Sequence, residues 1–200
     1  MGRARALARQ GDRRILGIAG APGGGKSTLA AALVGKLGPD TARLVGMDGF
    51  HLAQAELKRL GRADRKGAPD TFDASGFAAL LRRLRAREDA VVYAPLFRRE
   101  IEEPVACAVP VPRGVPLVVT EGNYLLVDDG PWREVRSLLD AVWYVSTPED
   151  TRLQWLIQRH IRYGRAPDAA RAWALGTDQR NARLVESTMS RADALVRLDV

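Results

Sequence analysis

Lys26 and Ser27 follow Gly20 and the triplet Gly23, Gly24 and Gly25, which completes the spacing G-x-x-x-x-G-K-[ST]. The chemistry such a set can do is to hold a chain of phosphates. Glycines let the backbone turn its N–H groups inward, and the N-terminus of a following helix adds partial positive charge. In this pattern Lys26 reaches the β- and γ-phosphates, Ser27 ligates Mg²⁺ and Thr28 extends the nucleotide-binding run. Two carboxylates stand where a phosphate site needs them. Asp48 follows the apolar run 42–47 and can accept the proton of a hydroxyl attacking a γ-phosphate, or else cap a turn. Glu121 ends the apolar run 115–120 and can hold Mg²⁺ directly or through water. Arg159, Arg162 and Arg165 cluster around Gly164. Their planar forks suit a lid that closes on a transferring phosphate, and the plainer alternative is an exposed basic helix end. His51, a lone histidine after Phe50, reads from its neighbours as packing.

These residues need elements to carry them. The run Ile15-Leu16-Gly17-Ile18-Ala19 predicts a buried strand before the glycine loop, and residues 28–37 predict a helix closed by Gly38-Pro39. Strands are expected at 42–47, 91–93, 115–120, 140–145 and 194–198. Helices are expected near 55–60, after an N-cap at Asp73, over 149–163, from Pro167 and over 178–187. Phe77, Leu80, Leu81 and Leu84 give one helix a core-facing stripe, leaving Arg82, Arg83, Arg85 and Arg87 to solvent. Leu153, Leu156, Ile157 and Ile161 give the helix at 149–163 its stripe, with Arg152, Arg159 and Arg162 on a neighbouring face. Residues 94–113, rich in proline and charge, are expected to be irregular. Alternating strands and helices argue for an α/β fold with a mainly parallel sheet.

Two hundred residues suffice for one well-buried core. The expected organisation is a basic leader, residues 1–13, before a single domain, residues 14–200. Residues 1–14 hold five arginines against Asp12, a net +4 of the chain's +7. That leader reads as a surface helix rather than a nucleic-acid contact, since no base-stacking motif accompanies it. The single cysteine suits a reducing compartment. No apolar stretch approaches a membrane span and the N-terminus lacks a signal-peptide core, so a cytoplasmic protein is expected.

Five segments occur in order: Gly20–Ser27, Met47–His51, Arg65–Asp73, Glu121–Leu126, and Arg159-His160 with Gly164-Arg165. Together they resemble the P-loop small-molecule kinases grouped with uridine kinase, phosphoribulokinase and bacterial pantothenate kinase. Within that group the chain is similar to bacterial nucleoside/nucleotide kinase family proteins, which include a kinase associated with fructose transport. The resemblance spans about residues 14–198. It implies a three-layer P-loop fold, with a five-stranded parallel core, helices on both faces and an arginine-bearing lid. It implies ATP and Mg²⁺, served by Lys26, Ser27 and Glu121, and Asp48 as the base. Arg159, Arg162 and Arg165 become lid candidates, and His51, Arg65, Lys66 and Tyr124 come to lie near the acceptor. Where the family carries an aspartate after the aromatic residue of this segment, Phe97 is followed here by Arg98. That departure points to a more anionic acceptor.

The expected activity is transfer of the γ-phosphate of ATP to a hydroxyl of a small metabolite: a sugar, a nucleoside or a pantothenate-like acid. A regulatory nucleotide-binding protein with little phosphotransfer is the alternative. No nucleic-acid or membrane partner is expected, and the oligomeric state is open, a homodimer included.

Overall fold

The computed structural model describes residues 1–198. In chain order it runs α1 (Gly2–Ala8), β1 (Arg14–Ala19), α2 (Lys26–Leu37), β2 (Ala42–Gly46), α3 (Gln54–Arg59), α4 (Ala74–Ala86), β3 (Val91–Arg98), β4 (Glu103–Pro112), β5 (Leu117–Gly122), β6 (Ala141–Ser146), α5 (Glu149–Arg162), α6 (Pro167–Trp173), α7 (Gln179–Glu186) and β7 (Ala194–Arg197). The main sheet is parallel throughout, in the order β2-β5-β1-β6-β7. Its strands alternate strictly between faces, as a sheet covered on both sides requires. Ile15, Val118, Val142 and Tyr144 enter one core with Phe77, Leu81 and Leu84 of α4. Leu16, Ile18, Leu117, Val119, Trp143 and Val145 enter the other, with Ala4 of α1 and Ala30 and Leu33 of α2. The result is the three-layer α/β arrangement, with helices on both faces. No helix among the described residues is long and apolar enough to cross a membrane.

The basic N-terminal segment packs onto the domain. Ala4 is fully buried, and Arg13 is 2 % exposed. Its guanidinium donates to the carbonyls of Val115 (2.9 Å), Leu84 (2.9 Å), Pro112 (2.6 Å) and Arg113 (3.1 Å). Burial, with Arg87 nearby, lowers its pKa, and four carbonyl dipoles stand in for a counter-ion.

Residues 94–113 are not irregular. Strands β3 and β4 form an antiparallel ribbon apart from the main sheet, with a register shift between Ala94 and Leu96. Pro95, Pro104, Pro110 and Pro112 all lie within it. Each strand of a two-stranded ribbon has an open edge where a missing N–H costs no ladder bond, so the prolines are tolerated. A second correction concerns α5. Its buried residues are Arg152 and Leu156, while Leu153, Ile157 and Ile161 are only half-buried. The inward line is Arg152, Leu156 and Arg159, at i, i+4 and i+7, because the helix packs on the glycine loop as well as on α6.

Candidate phosphate and acceptor site

The parallel register sets the site. Glu121 on β5 lies opposite Gly46 on β2 and Ile18 on β1. The carboxyl ends of three adjacent strands therefore release Asp48, Glu121 and the glycine loop at one edge, where ligands of open α/β sheets bind. Beyond β2 the chain makes a tight 3₁₀ turn, Met47–Phe50, which carries Asp48 over that edge.

The glycine loop is braced from outside. Arg152 Nη1 donates to the Pro22 carbonyl (3.2 Å) and Thr147 Oγ1 to that of Gly24 (3.0 Å). Gly23 has φ +79°, and a Cβ there would stand 2.9 Å from the Arg152 carbonyl oxygen and the Leu156 Cβ. Gly25, at φ +81°, turns the chain into α2. Both positions need glycine's freedom to reach the left-handed region. Lys26 is 7 % exposed and curls back to donate to the Ala21 carbonyl (2.9 Å). Burial, opposed by Glu121 and Asp48, brings its pKa down to about 8. Ser27 Oγ lies 3.2 Å from Glu121 Oε1. Burial and then the neighbouring Asp48 raise the Glu121 carboxyl above its usual range.

A cleft of about 360 Å³ opens in front of these groups. Lys26, Ser27, Asp48, His51, Lys66, Glu121, Arg159 and Arg165 line it together. Gly23, Gly24, Gly25 and Thr28 line an adjoining, more apolar groove of about 600 Å³ beside Trp155 and Leu198. Burial opposes ionisation of Asp48, and His51, Arg99, Lys26 and Arg159 override it, holding the group below the usual carboxylate range. Burial also depresses His51, so at neutral pH the fixed cations keep Asp48 ionised. His51 Nδ1 sits 2.8 Å from the Asp48 carbonyl, and its ring packs between Phe72 and Phe97. It combines packing with a place in the cleft. Burial, and next Arg99, lower the Arg159 pKa. Two guanidiniums and an ammonium thus converge on one end of the cleft, an arrangement that favours an incoming anion.

Three expected site residues lie elsewhere. Arg65 is outside the cleft lining and pairs with Asp70 (2.8 Å). Tyr124 is fully buried, packed against Phe72 and Trp132, and donates its hydroxyl to the Gly67 carbonyl. Its neighbour Asn123 lines the cleft instead. Arg162 is exposed at the end of α5, outside the lining. Three residues past Arg159, it is turned about 60° off the inward line. Arg165 does line the cleft, and its guanidinium stacks over Trp173 at 4.3 Å.

Other residues of the site lacked a local signal. Arg99, at the end of the hairpin, donates through Nη2 to Asp48 Oδ2 at 2.9 Å. Arg98, singled out from the sequence, is exposed, and its neighbour Arg99 enters the cleft instead. Alternation along the strand carries that distinction, and it is readable only once the strand is recognised. Arg152 could have been found from its i, i+4, i+7 relation to Leu156 and Arg159. His160 Nε2 lies 2.7 Å from Asp178 Oδ2, and Asp178 is presented by a π-helical turn, Ala174–Asp178, between α6 and α7. Such turns are rare and concentrate at functional sites.

Comparison with known proteins agrees with this geometry. Residues 15–198 match the family described as "Phosphoribulokinase / Uridine kinase family". The chain is 32% identical to YggC of Escherichia coli K12, described as uncharacterized, over 93% of this chain and 78% of that one. It is 37% identical to the ATP-dependent kinase-like protein notR' of Aspergillus versicolor, over 68% and 84%. In structure it is similar to a "putative fructose transport system kinase" from Silicibacter sp. TM1040, with a TM-score of 0.84 and 37% identity over 97% and 96% of the two chains. With the glycine loop, the paired acids and the cationic cleft on one sheet edge, and the family match spanning nearly all of its length, this chain belongs to the phosphoribulokinase / uridine kinase family of kinases.

Proposed function

We propose that the protein transfers the γ-phosphate of ATP to a hydroxyl of a small metabolite. The observation that carries the reading is the position of Asp48: an ionised carboxylate in a cleft shared with Lys26, Arg99 and Arg159. A base there accepts the proton of the attacking hydroxyl, and cations around it offset the charge of the transferring phosphoryl group. Lys26 leaves the Ala21 carbonyl for the β- and γ-phosphates. Arg159 and Arg165 approach from the α5 side. Ser27 Oγ and Glu121 Oε1, two hard oxygen ligands 3.2 Å apart, fit Mg²⁺, with the rest of its shell left to water and phosphate. When bound, that ion supplies charge neutralisation at the phosphates.

The test is ADP release from ATP and Mg²⁺ across sugars, nucleosides, pantothenate and small hydroxy acids, with Asp48→Asn as the blank. Turnover with one acceptor that the variant lacks is the expected result. Tight ATP binding with no acceptor above the blank, and Asp48→Asn indistinguishable from wild type, would instead favour a regulatory nucleotide-binding role.

A further inference from the structure

We infer that the acceptor carries an anionic group of its own, a carboxylate or a phosphate, held by Lys66 and Arg99 while Asp48 engages its hydroxyl. The inference rests on the phosphotransfer reading and narrows its substrate class. Both cations are drawn up to the Phe97 ring, Lys66 Nζ at 5.5 Å and the Arg99 guanidinium at 5.7 Å from its centroid. Both line the cleft with Asp48, and Arg99 also lines the adjoining groove beside the glycine loop. Lys66 makes no ion pair among the described residues, and Arg99 makes one, with Asp48 itself. Lys66 donates to Gln54 Oε1 (3.3 Å) and to the Glu102 carbonyl, both neutral, and has no carboxylate partner among the described residues. Arg99 uses Nη2 on Asp48 Oδ2 and has no other hydrogen-bond partner among the described residues. Asp48 can then keep Arg99 on one oxygen and offer the other to the acceptor hydroxyl. Glu102 also lines the cleft, and its carboxylate makes no ion pair with either cation among the described residues.

With Lys66 unpaired and Arg99 sharing one carboxylate through a single donor, this part of the cleft carries an excess of positive charge that an anion would complete. The triphosphate leaves Lys66 unmet, since Lys66 lines the cleft but not the groove beside the glycine loop, where Lys26, Arg99 and Arg159 lie. A neutral sugar or nucleoside would leave Lys66 and the remaining Arg99 donors without an anionic partner in the cleft. An acceptor with a carboxylate or phosphate a few bonds from its hydroxyl would pair both and seat that hydroxyl at Asp48.

The experiment loads the full chain with Mg²⁺ and the non-hydrolysable analogue AMP-PNP, which fills the triphosphate site. It then titrates inorganic phosphate and glycerate, separately, by calorimetry. Saturable binding of at least one is expected, weakened about 10- to 100-fold in Lys66→Met and Arg99→Met, the range for a hydrogen bond to a charged group. Lys66→Arg should retain it. Which probe binds distinguishes the two anion classes. In parallel, Asp48-dependent ADP release is compared for glycerol against glycerate and for ribose against ribose 5-phosphate, with the charged member expected to be preferred. Nucleotide binding without saturable anion binding, anion binding untouched by both Met variants, or preference for the neutral member would overturn the inference and leave phosphotransfer standing. Absence of AMP-PNP binding would overturn both.

Discussion

Lys26 gives the sharpest handle on the site, because its charge is costly in the free protein and, on the proposed reading, needed once nucleotide binds. It is 7 % exposed, and burial lowers its pKa from 10.5 to about 8. That depression corresponds to about 3 kcal/mol. In the free protein the folded chain gives up this proton more readily than the unfolded chain. From pH 8 to 10.5 the unfolded chain therefore binds more protons, and stability rises with pH across that window. Below it the full penalty is present. Lys26→Met should accordingly stabilise the free protein at pH 7 by about 2 kcal/mol, after the lost hydrogen bond to Ala21 is subtracted. Phosphates reverse the balance, since a protonated Lys26 pairs with them. Nucleotide binding should then take up about 0.1 proton at pH 7, about 0.5 at pH 8 and about 0.9 at pH 9, and affinity should weaken about tenfold between pH 7 and 9. Calorimetric titration with Mg²⁺ and AMP-PNP in two buffers of different ionisation enthalpy reads the uptake directly. Uptake that stays flat across this pH range, or that persists in Lys26→Met, would refute the assignment of Lys26 as the group that turns from buried amine to phosphate ligand.

Other perturbations test separate links. Asp48→Asn should lower kcat by about 10²- to 10⁴-fold while leaving AMP-PNP affinity within a few-fold, measured by single-turnover kinetics and titration; equal losses in both would assign Asp48 to nucleotide binding. Arg13→Met should destabilise the fold by about 3–5 kcal/mol in denaturant titration, because four carbonyls, two of them in buried hydrogen bonds, lose their donor together; a loss under about 1 kcal/mol would mean that water replaces the guanidinium. Gly49→Ala would place a Cβ 2.6 Å from the Pro95 carbonyl oxygen, so it should push the hairpin off the Asp48 turn. We expect a stability loss of about 1–3 kcal/mol and a raised KM for the acceptor with little change for ATP.

The parts of the site legible in the sequence are those fixed by local chemistry. A glycine run before Lys26-Ser27 can only be a tight loop entering a helix. An acid directly after an apolar run falls at the carboxyl end of a strand, and in a parallel sheet all those ends share one edge. This is why Asp48 and Glu121, 73 positions apart, could be assigned to one site from their immediate neighbours. Arg99 could not, because its place depends on residues 91–112 pairing as a ribbon, and the prolines there argue against strands when read one at a time. Arg65 and Tyr124 show the converse limit. Both lie in segments that do form the cleft, yet Arg65 is claimed by Asp70 five residues on, and Tyr124 is drawn into the aromatic core by Phe72 and Trp132. Residue type and segment indicate proximity. Competition among nearby partners decides direction.

The β3–β4 ribbon has a consequence for how such a protein can change over generations. It shares no ladder with the main sheet, so its tip, residues 99–102, can be lengthened, shortened or recharged without altering the strand register that sets the phosphate machinery. The half of the molecule that handles ATP is tied to a covered sheet, where a one-residue slip would invert every buried side chain. The half proposed to meet the acceptor hangs on a hairpin open to substitution. Descent with a fixed donor and a shifting acceptor is the expected history of a chain built this way.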